Sequence, residues 1–195
     1  MEKEEKERER LRERKRKIEY ILSICNIPKR YRNAKLEPKT KIQYETAQYL
    51  IENFSQQSLE KSSDVLLLGA IGTGKTYLSC AFALELIEKK QIFIKYTTEY
   101  ELLALYFEKR YQEFRNFRET HILILDEIGK RVLSDWQRVQ LEELLSYRYN
   151  ELLPTIYITN LPQKAFKEFL GERLADRLHE NRLKQFAFNG KSLRA

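Results

Sequence analysis

A glycine-rich octapeptide directly after a short apolar run limits what this chain can fold into more than any other feature. The apolar run covers residues 65–68, and the octapeptide fits the pattern G-x-x-x-x-G-K-[ST]. Its members are Gly69, Ala70, Ile71, Gly72, Thr73, Gly74, Lys75 and Thr76. Only a glycine-rich loop turns tightly enough to direct several backbone N–H groups at one phosphate, and the start of a following helix favours the same anion. The pattern therefore predicts a strand, a phosphate-binding loop and a helix; the alternative is a glycine-rich turn that binds nothing.

The last residues of the octapeptide have side chains with separate roles in binding a nucleotide. Lys75 would supply positive charge to the β- and γ-phosphates, and the Thr76 hydroxyl is placed to ligate Mg²⁺. We include Tyr77, the next residue, in the predicted nucleotide site. The expected cofactors are ATP or ADP together with Mg²⁺.

Apolar strand-like runs alternate with helical patterns along most of the chain. Strands are predicted at 65–68, 92–96, 122–125, 155–159 and 185–188, and helices at 41–54, 77–89, 99–118, 136–152 and 163–177. Continuous apolar strands separated by helices are typical of a parallel sheet covered on both faces. We therefore expect an α/β fold of three layers around a five-stranded parallel sheet.

Composition narrows the classes of protein further. A chain of 195 residues with 42% apolar residues suits one globular domain, and a net charge of +7 favours polyanionic partners. Cys25 and Cys80 lie far apart in sequence, which disfavours a zinc site and a disulfide framework and fits a reducing cytoplasm. No apolar run approaches the roughly 20 residues that span a bilayer, so we expect a cytoplasmic protein without a membrane segment.

Two strand ends carry polar residues suited to ATP hydrolysis. The run 122–125 leads to Asp126 and Glu127, and the run 155–159 leads to Asn160. Because ligands of open parallel sheets collect at the carboxyl ends of the strands, these side chains should lie beside the phosphate loop. Asp126 would hold Mg²⁺, Glu127 would orient and deprotonate the attacking water, and Asn160 would contact the γ-phosphate and that water. The alternatives are polar residues that merely end a strand and, for Asn160, a simple turn residue.

A basic and aromatic segment indicates contact with single-stranded nucleic acid. Aromatic rings stack on bases while cations follow the phosphates, without reading the sequence. The predicted nucleic-acid residues are Lys109, Arg110, Tyr111, Arg115 and Arg118, with Lys130 and Arg131 added from the segment after the acidic pair. The alternative is an amphipathic helix that packs a stripe of Leu103, Phe107, Tyr111 and Phe114 on the sheet.

The N-terminal residues differ in composition from the rest of the chain. Residues 1–17 are nearly all Glu, Lys and Arg, and Leu11 is the only aliphatic residue after Met1. A solvated helix that acts as a tether fits this pattern, and an arm that binds a partner is the alternative. We divide the chain into a charged helix or arm at 1–27 and an ATPase domain at 28–195.

With the three strand ends in place, the chain resembles the AAA+ ATPases, and more specifically the DnaC/DnaI helicase loaders and the related IstB transposition helper. The resemblance extends from about Ile18 to the C-terminus. The segments that carry it are 27–32, 69–76, 125–129, 133–137, 147–150, 158–161 and 170–178. The last of these, LGERLADRL, is much more particular to the loaders than the phosphate loop and the acidic pair are.

The resemblance implies further residues and partners. Arg177 matches the family's arginine finger, which reaches the ATP of a neighbouring subunit, and Arg173 is the rival candidate one helical turn earlier. Arg194 matches the family's sensor-2 arginine. The short segment after Asn160 implies that the helical lid of most AAA+ proteins is absent or minimal, as in the loaders. The implied partners are other copies of the chain, single-stranded DNA and a DnaB-type replicative helicase, although only about 27 residues precede Pro28 where loaders carry a helicase-gripping domain.

The expected function is therefore that of an AAA+ helicase loader, an ATP-dependent DNA replication factor with slow hydrolysis that depends on assembly. One alternative is an IstB-like transposition helper, which shares the ATPase core. The other is a nucleotide-gated scaffold for single-stranded DNA that scarcely hydrolyses ATP, against which the Asp126–Glu127 pair argues.

Overall fold

The computed structural model describes residues 2–54, 59–179 and 183–193 of the chain. The helices are α1 (Glu2–Ile24), α2 (Lys41–Phe54), α3 (Lys75–Lys90), α4 (Glu99–Phe107), α5 (Tyr111–Arg118), α6 (Asp135–Asn150), α7 (Gln163–Leu170) and α8 (Glu172–His179). The strands are β1 (Asp64–Gly69), β2 (Ile94–Thr98), β3 (Ile122–Ile128), β4 (Thr155–Thr159) and β5 (Leu183–Phe188). Short 3-10 turns occupy Lys29–Tyr31 and Leu59–Lys61.

The strands form one parallel sheet in the order β2-β3-β4-β1-β5. This confirms the α/β fold with a five-stranded parallel sheet. Strand β4 lies between β1, which precedes the phosphate loop, and β3, which carries the acidic pair. The order therefore brings the carboxyl ends of three strands next to one another, although they are far apart in sequence.

Strands β1, β3 and β4 each contribute buried side chains to hydrophobic cores on both faces of the sheet. Val65 and Leu67 of β1 face one core with the end of α1 and with α2 and α3, whereas Leu66 faces a second core under α4 to α8. Strand β3 divides in the same way, with Ile124 in the first core and Leu123 in the second. Burial on both faces explains why these strands read as continuous apolar runs.

Two helices predicted as continuous are each divided. The prediction for 99–118 is wrong at its centre: α4 ends at Phe107, Lys109 adopts a left-handed φ of 59°, and α5 begins at Tyr111. Phe107 is consequently 81% exposed rather than part of a buried stripe, whereas Leu103 and Phe114 are buried. The helix predicted at 163–177 divides at Gly171, whose φ is 79°.

The N-terminal segment is one helix whose two halves differ in environment. Residues 4–17 of α1 are exposed, whereas Ile21 is buried in the first core, as are Cys25 and Ile27 after the helix. The carbonyl of Cys25 accepts a 2.8 Å hydrogen bond from the Tyr96 N–H, which fixes this segment beside β2. The division of the chain at residue 27 stays a prediction. In the part of the chain that the structure describes, no helix is both long enough and apolar enough to cross a membrane.

Arg148 is the largest of the fully buried side chains and lies near the start of two strands. Its guanidinium donates to the Thr155 hydroxyl and to the carbonyls of Phe117, Arg118, Thr120 and Pro154 at 2.7–3.3 Å. Burial lowers the pKa of Arg148 to about 10. This side chain joins the end of α5 to the residues that precede β3 and β4.

Candidate nucleotide-binding site

The phosphate loop has the backbone that its glycines predict. Gly72 and Gly74 have φ values of 83° and 92°, in the region that residues with a Cβ seldom adopt. Each glycine is also in close contact with another part of the chain. A Cβ on Gly72 would lie 2.2 Å from Ser192 Oγ, and one on Gly74 would lie 2.5 Å from Gln43 Nε2. Backbone conformation therefore favours glycine at both positions, and a Cβ at either one would force Ser192 or Gln43 to move.

Residues from outside the octapeptide hold the loop from two sides. Gln43 of α2 donates through Nε2 to the Thr73 carbonyl at 2.9 Å and accepts through Oε1 from Lys39 N–H at 2.8 Å. The backbone N–H of Leu193 donates to the Gly72 carbonyl at 2.8 Å. The α2 helix and the segment after β5 thus fix the conformation of the loop.

Lys75 is buried at the start of α3 and directs its ammonium group across the loop. Its Nζ donates to the carbonyls of Gly69 and Ala70 at 2.6 and 2.8 Å, and to Asn160 Oδ1 at 3.1 Å. Burial lowers the pKa of Lys75, while the charge of Asp126 acts in the opposite direction. The structure therefore brings together Lys75 and Asn160, which the sequence assigned to one site from positions 85 residues apart.

Asp126 is a buried carboxylate that accepts hydrogen bonds from two distant residues and from the residue that follows it. Its Oδ2 accepts from the Thr76 hydroxyl and from the Tyr96 hydroxyl, both at 2.8 Å, and its Oδ1 accepts from the Glu127 N–H at 2.7 Å. Burial raises the pKa of Asp126, and the three hydrogen bonds oppose that shift. The sequence placed Thr76 and Asp126 together; it did not identify Tyr96.

Glu127 lies at a bulge in β3. Pairing with β4 joins Leu125 to Tyr157 and resumes at Ile128 and Thr159, so two residues of β3 face one residue of β4. Glu127 has a φ of 57°, which is rare for a residue with a side chain. The bulge exposes its carboxylate, which forms a 2.9 Å ion pair with Lys130. The carboxylates of Asp126 and Glu127 thus lie in different environments, one buried and one exposed.

These side chains surround an open cleft of about 400 Å³. Its lining includes the loop residues 71–76, Tyr77, Asp126, Glu127 and Asn160. It also includes Arg30, Tyr31 and Leu193, which were not predicted to belong to the site from the sequence. The rings of Tyr31 and Tyr77 meet edge to face at 6.3 Å between centroids, and the Arg30 guanidinium lies 4.9 Å from the centre of the Tyr31 ring. The basic and aromatic residues at 29–32 were the sequence feature from which this wall of the cleft could have been predicted.

The oxygen atoms at this cleft fit Mg²⁺. The Thr76 hydroxyl and the Asp126 carboxylate supply hard oxygen donors, and a cleft of this size leaves room for phosphate and water oxygens to complete the coordination. Across the described ranges, no group of three or more His, Cys, Asp and Glu side chains could hold a metal by itself. A cation at this site would therefore depend on the nucleotide as well as on the protein.

Arg173 and Arg177 lie on α8, away from this cleft. They line a separate depression against α6, and Arg177 Nη1 donates to Ser146 Oγ at 3.3 Å. The Arg177 guanidinium also lies 5.9 Å from the Tyr149 ring centre. Neither arginine lines the cleft of its own chain. The prediction for Arg194 falls on a residue outside the described ranges.

Several of the predicted nucleic-acid residues already have intramolecular partners. Arg110 forms ion pairs with Glu108 and Glu113, and Lys130 pairs with Glu127. Arg118 pairs with Glu119 and lies 4.2 Å from the Tyr147 ring centre, and Arg131 lies 4.1 Å from that of Tyr100. The three remaining predicted residues, Lys109, Tyr111 and Arg115, are exposed around the α4–α5 junction.

Next to that junction the structure forms an aromatic cluster that the sequence did not predict. The Tyr106 ring contacts the rings of Tyr111, Phe114 and Trp136 at 5.0–5.2 Å between centroids. Tyr111 and Trp136 are 50% and 43% exposed, so the cluster is open to solvent on one side. The junction therefore presents aromatic rings beside basic side chains.

The chain is similar to a described protein family and to several known proteins. The family model described as "IstB-like ATP binding protein" matches residues 4–194. The chain is 28% identical over 145 residues to the uncharacterized protein YqaM of Bacillus subtilis, covering 70% of this chain and 46% of YqaM. It is 31% identical over 112 residues to the replicative helicase loader DnaI of Bacillus subtilis, covering 55% of this chain and 36% of DnaI. The chain thus spans less than half the length of either relative.

A solved structure extends the similarity to the fold. The crystal structure of the DnaC helicase loader superposes with a TM-score of 0.70 at 29% identity, covering 82% of this chain and 99% of that chain.

Proposed function

Since the chain belongs to the family of IstB-like ATP-binding proteins, we propose that it binds ATP with Mg²⁺ and hydrolyses it to ADP and phosphate. The observation that carries this proposal is the meeting of three strand ends around one cleft. Lys75 and Thr76 come from the loop after β1, Asp126 and Glu127 from β3, and Asn160 from the end of β4. Phosphate-binding, metal-binding and water-activating groups thus face the same volume.

Each side chain has a role in this proposal that follows from its chemistry. Lys75 would give up its bonds to the loop carbonyls and bind the β- and γ-phosphates, while Asn160, already 3.1 Å from Lys75 Nζ, would contact the γ-phosphate. Thr76 and Asp126 would hold Mg²⁺, which neutralises charge that develops on the phosphate oxygens. Arg30, Tyr31 and Tyr77 form the wall on which the base or ribose would lie.

Glu127 would accept the proton of the attacking water. The water oxygen forms a bond to the γ-phosphorus, the bond from that phosphorus to the β–γ bridging oxygen breaks, and the proton passes to the carboxylate. In the present conformation Glu127 is engaged by Lys130 at 2.9 Å. Both side chains of this pair are exposed, so it would open at a cost of at most about 1 kcal/mol when the carboxylate binds water.

Lys75→Ala tests nucleotide binding directly. We expect this variant to lose measurable ATP affinity in calorimetry, because the loop keeps its amides but loses its cation. Lys89→Ala is the matched control, since Lys89 lies on the same helix and is exposed in a pair with Glu85. Equal ATP affinity in Lys75→Ala and in the control would reject the site.

We propose that hydrolysis requires a second copy of the chain, whose Arg177 completes the site. The support is that Arg177 sits on α8 and does not line its own cleft, although the family resemblance makes it a finger. Such a finger contributes about 10³–10⁵ to the rate. Arg177→Ala should bind ATP normally and hydrolyse it poorly, and Arg173→Ala is the comparison that separates the two candidates.

Mixing two inactive variants tests the contribution from a neighbour. Arg177→Ala keeps its own Glu127, and Glu127→Gln keeps its own Arg177, so a mixed interface contains one complete site. We expect the mixture to recover activity that neither variant shows alone. Absence of any recovery, with both variants shown to assemble, would exclude the role in trans.

The partners that we propose are single-stranded DNA and a replicative helicase of the DnaB type, which makes the chain a helicase loader active in DNA replication. The relative DnaI and the similar DnaC structure are both named as helicase loaders. The exposed rings of Tyr111 and Trp136, beside Lys109 and Arg115, support the DNA contact. As the alternative, the matching IstB family favours a transposition helper that binds duplex DNA and a transposase.

Two binding experiments separate these alternatives. A pull-down with the purified host replicative helicase, run with ATP and with ADP, should recover the helicase in a nucleotide-dependent manner if the chain is a loader. Competition between single-stranded and duplex DNA of equal length should favour the single strand. Preference for the duplex together with no helicase recovery would support the transposition helper.

A further inference from the structure

Tyr96 is a buried tyrosine whose hydroxyl reaches the carboxylate proposed to hold the metal. It lies on β2, is 6% exposed, and donates to Asp126 Oδ2 at 2.8 Å. Burial and the neighbouring Asp126 raise the pKa of Tyr96 well above its ordinary value.

The local backbone explains why Asp126 needs a donor from another strand. Asp126 pairs with Thr98 of β2 on one side, but its pairing with β4 is interrupted by the bulge after Leu125. The ladder therefore holds Asp126 firmly on one side only. Tyr96 lies on that held side, two residues before Thr98, and its ring spans the distance to the carboxylate.

The two hydroxyl groups that donate to Asp126 Oδ2, those of Thr76 and Tyr96, differ in their other interactions. Thr76 is also a proposed ligand of Mg²⁺, so its hydroxyl would divide its interactions between the cation and Asp126. Tyr96 is fixed in the first core, where it contributes to the apolar cluster between the sheet and α3. A rigid ring anchored in the core can hold the carboxylate while Thr76 changes its partner.

We propose that Tyr96 is a positioning residue that orients Asp126 toward Mg²⁺ in the complex with nucleotide. The proposal rests on the proposed function, because it assumes that Asp126 serves the metal. Tyr96 does not line the cleft, so it would act on Asp126 without touching the nucleotide. Groups that orient a metal ligand typically change metal affinity about 10–100-fold when they are removed.

Tyr96→Phe removes one oxygen atom and keeps the buried ring. The matched control is Tyr157→Phe on β4, a buried tyrosine that packs on Phe166 in the second core and does not line the cleft. The affinity of each protein for a non-hydrolysable ATP analogue is measured by calorimetry with Mg²⁺ and, separately, with EDTA. Binding of Mn²⁺ with the same analogue, followed by electron paramagnetic resonance, gives a direct reading of the metal.

We expect Tyr96→Phe to bind the analogue as wild type does in EDTA and to lose about tenfold of the affinity that Mg²⁺ adds, with a matching loss of Mn²⁺ affinity. Tyr157→Phe should match wild type in both media. Equal Mg²⁺ dependence in Tyr96→Phe and wild type would overturn the proposal while leaving the ATPase function standing. Equal losses in EDTA and in Mg²⁺ would also overturn it, because they indicate a general structural effect. Failure of wild type to bind the analogue at all would instead reject the proposed function.

Discussion

Replacing Arg148 by methionine should destabilise the folded chain by about 2–4 kcal/mol. The guanidinium serves five acceptors, of which the Arg118 carbonyl is only partly buried and the Pro154 carbonyl also accepts from the Leu123 N–H. The other three are buried, namely the Thr155 hydroxyl and the carbonyls of Phe117 and Thr120, and a buried acceptor left without a donor costs about 1–3 kcal/mol. At about 2 kcal/mol each, these three cost about 6 kcal/mol, which is partly offset. The pKa of Arg148, lowered to about 10, indicates that burial of the charge itself costs about 3 kcal/mol, which methionine would recover. The net loss is a large fraction of the stability of an ordinary domain.

The measurement is equilibrium unfolding in urea, with the free energy taken from the midpoint and the slope. Arg138→Met is the matched control on the same helix, because Arg138 is exposed and makes a single backbone bond, to the Phe169 carbonyl. We expect the control to lie within about 0.5 kcal/mol of wild type. Arg148→Lys keeps the charge but presents fewer donors, and it should also lose stability. A free energy of unfolding for Arg148→Met equal to that of the control would refute the argument that these acceptors depend on the guanidinium.

Three further predictions concern the loop, one buried carboxylate and the DNA surface. Gly74→Ala should weaken ATP binding by at least about tenfold in calorimetry, because alanine is strained at a φ of 92° and its Cβ would displace Gln43; unchanged affinity would show that the loop tolerates a Cβ there. Burial raises the pKa of Glu99, whose carboxylate accepts a hydrogen bond from the Gly129 N–H. The contribution of Glu99 to stability is therefore fully present below its pKa in the unfolded chain, and it is lost as the pH rises through its pKa in the folded chain. Glu99→Gln should therefore gain stability relative to wild type as the pH rises above the ordinary range of a glutamate in urea titrations, and parallel pH profiles would contradict the assignment. Arg115→Ala should lower the salt slope of single-stranded DNA binding by about 0.7, whereas Arg110→Ala should lower it less because Arg110 is already paired with Glu108 and Glu113; equal slopes in wild type and Arg115→Ala would exclude that residue from the surface.

The fold class and the central part of the site were predictable because local patterns encode both. Five apolar runs between helical patterns require a parallel sheet covered on two faces, and the structure contains that sheet. The octapeptide has positive φ angles at Gly69, Gly72 and Gly74, which only glycine adopts readily, so its conformation follows from its amino-acid sequence. Asp126 and Asn160 each follow an apolar strand directly, so the end of the sheet at which they lie was determined as well.

The breaks in the helices were not predictable from periodicity alone. Leu103, Phe107, Tyr111 and Phe114 have helical spacing, but a left-handed Lys109 interrupts that helix. This break allows the Tyr106 ring to lie among those of Tyr111, Phe114 and Trp136. Packing of aromatic side chains from α4, α5 and α6 thus outweighs the tendency of this segment to form one continuous helix.

The sequence by itself determined which chemical groups this protein carries and at which end of the sheet they lie, because those properties depend on short stretches of chain. Only the tertiary structure decided how these groups are held. The order of the strands brings Lys75 to Asn160, the register between β2 and β3 brings Tyr96 to Asp126, and the segment before α2 places Tyr31 beside Tyr77. Such contacts join residues 30 to 85 positions apart, so they depend on packing of the whole domain, which no local pattern encodes.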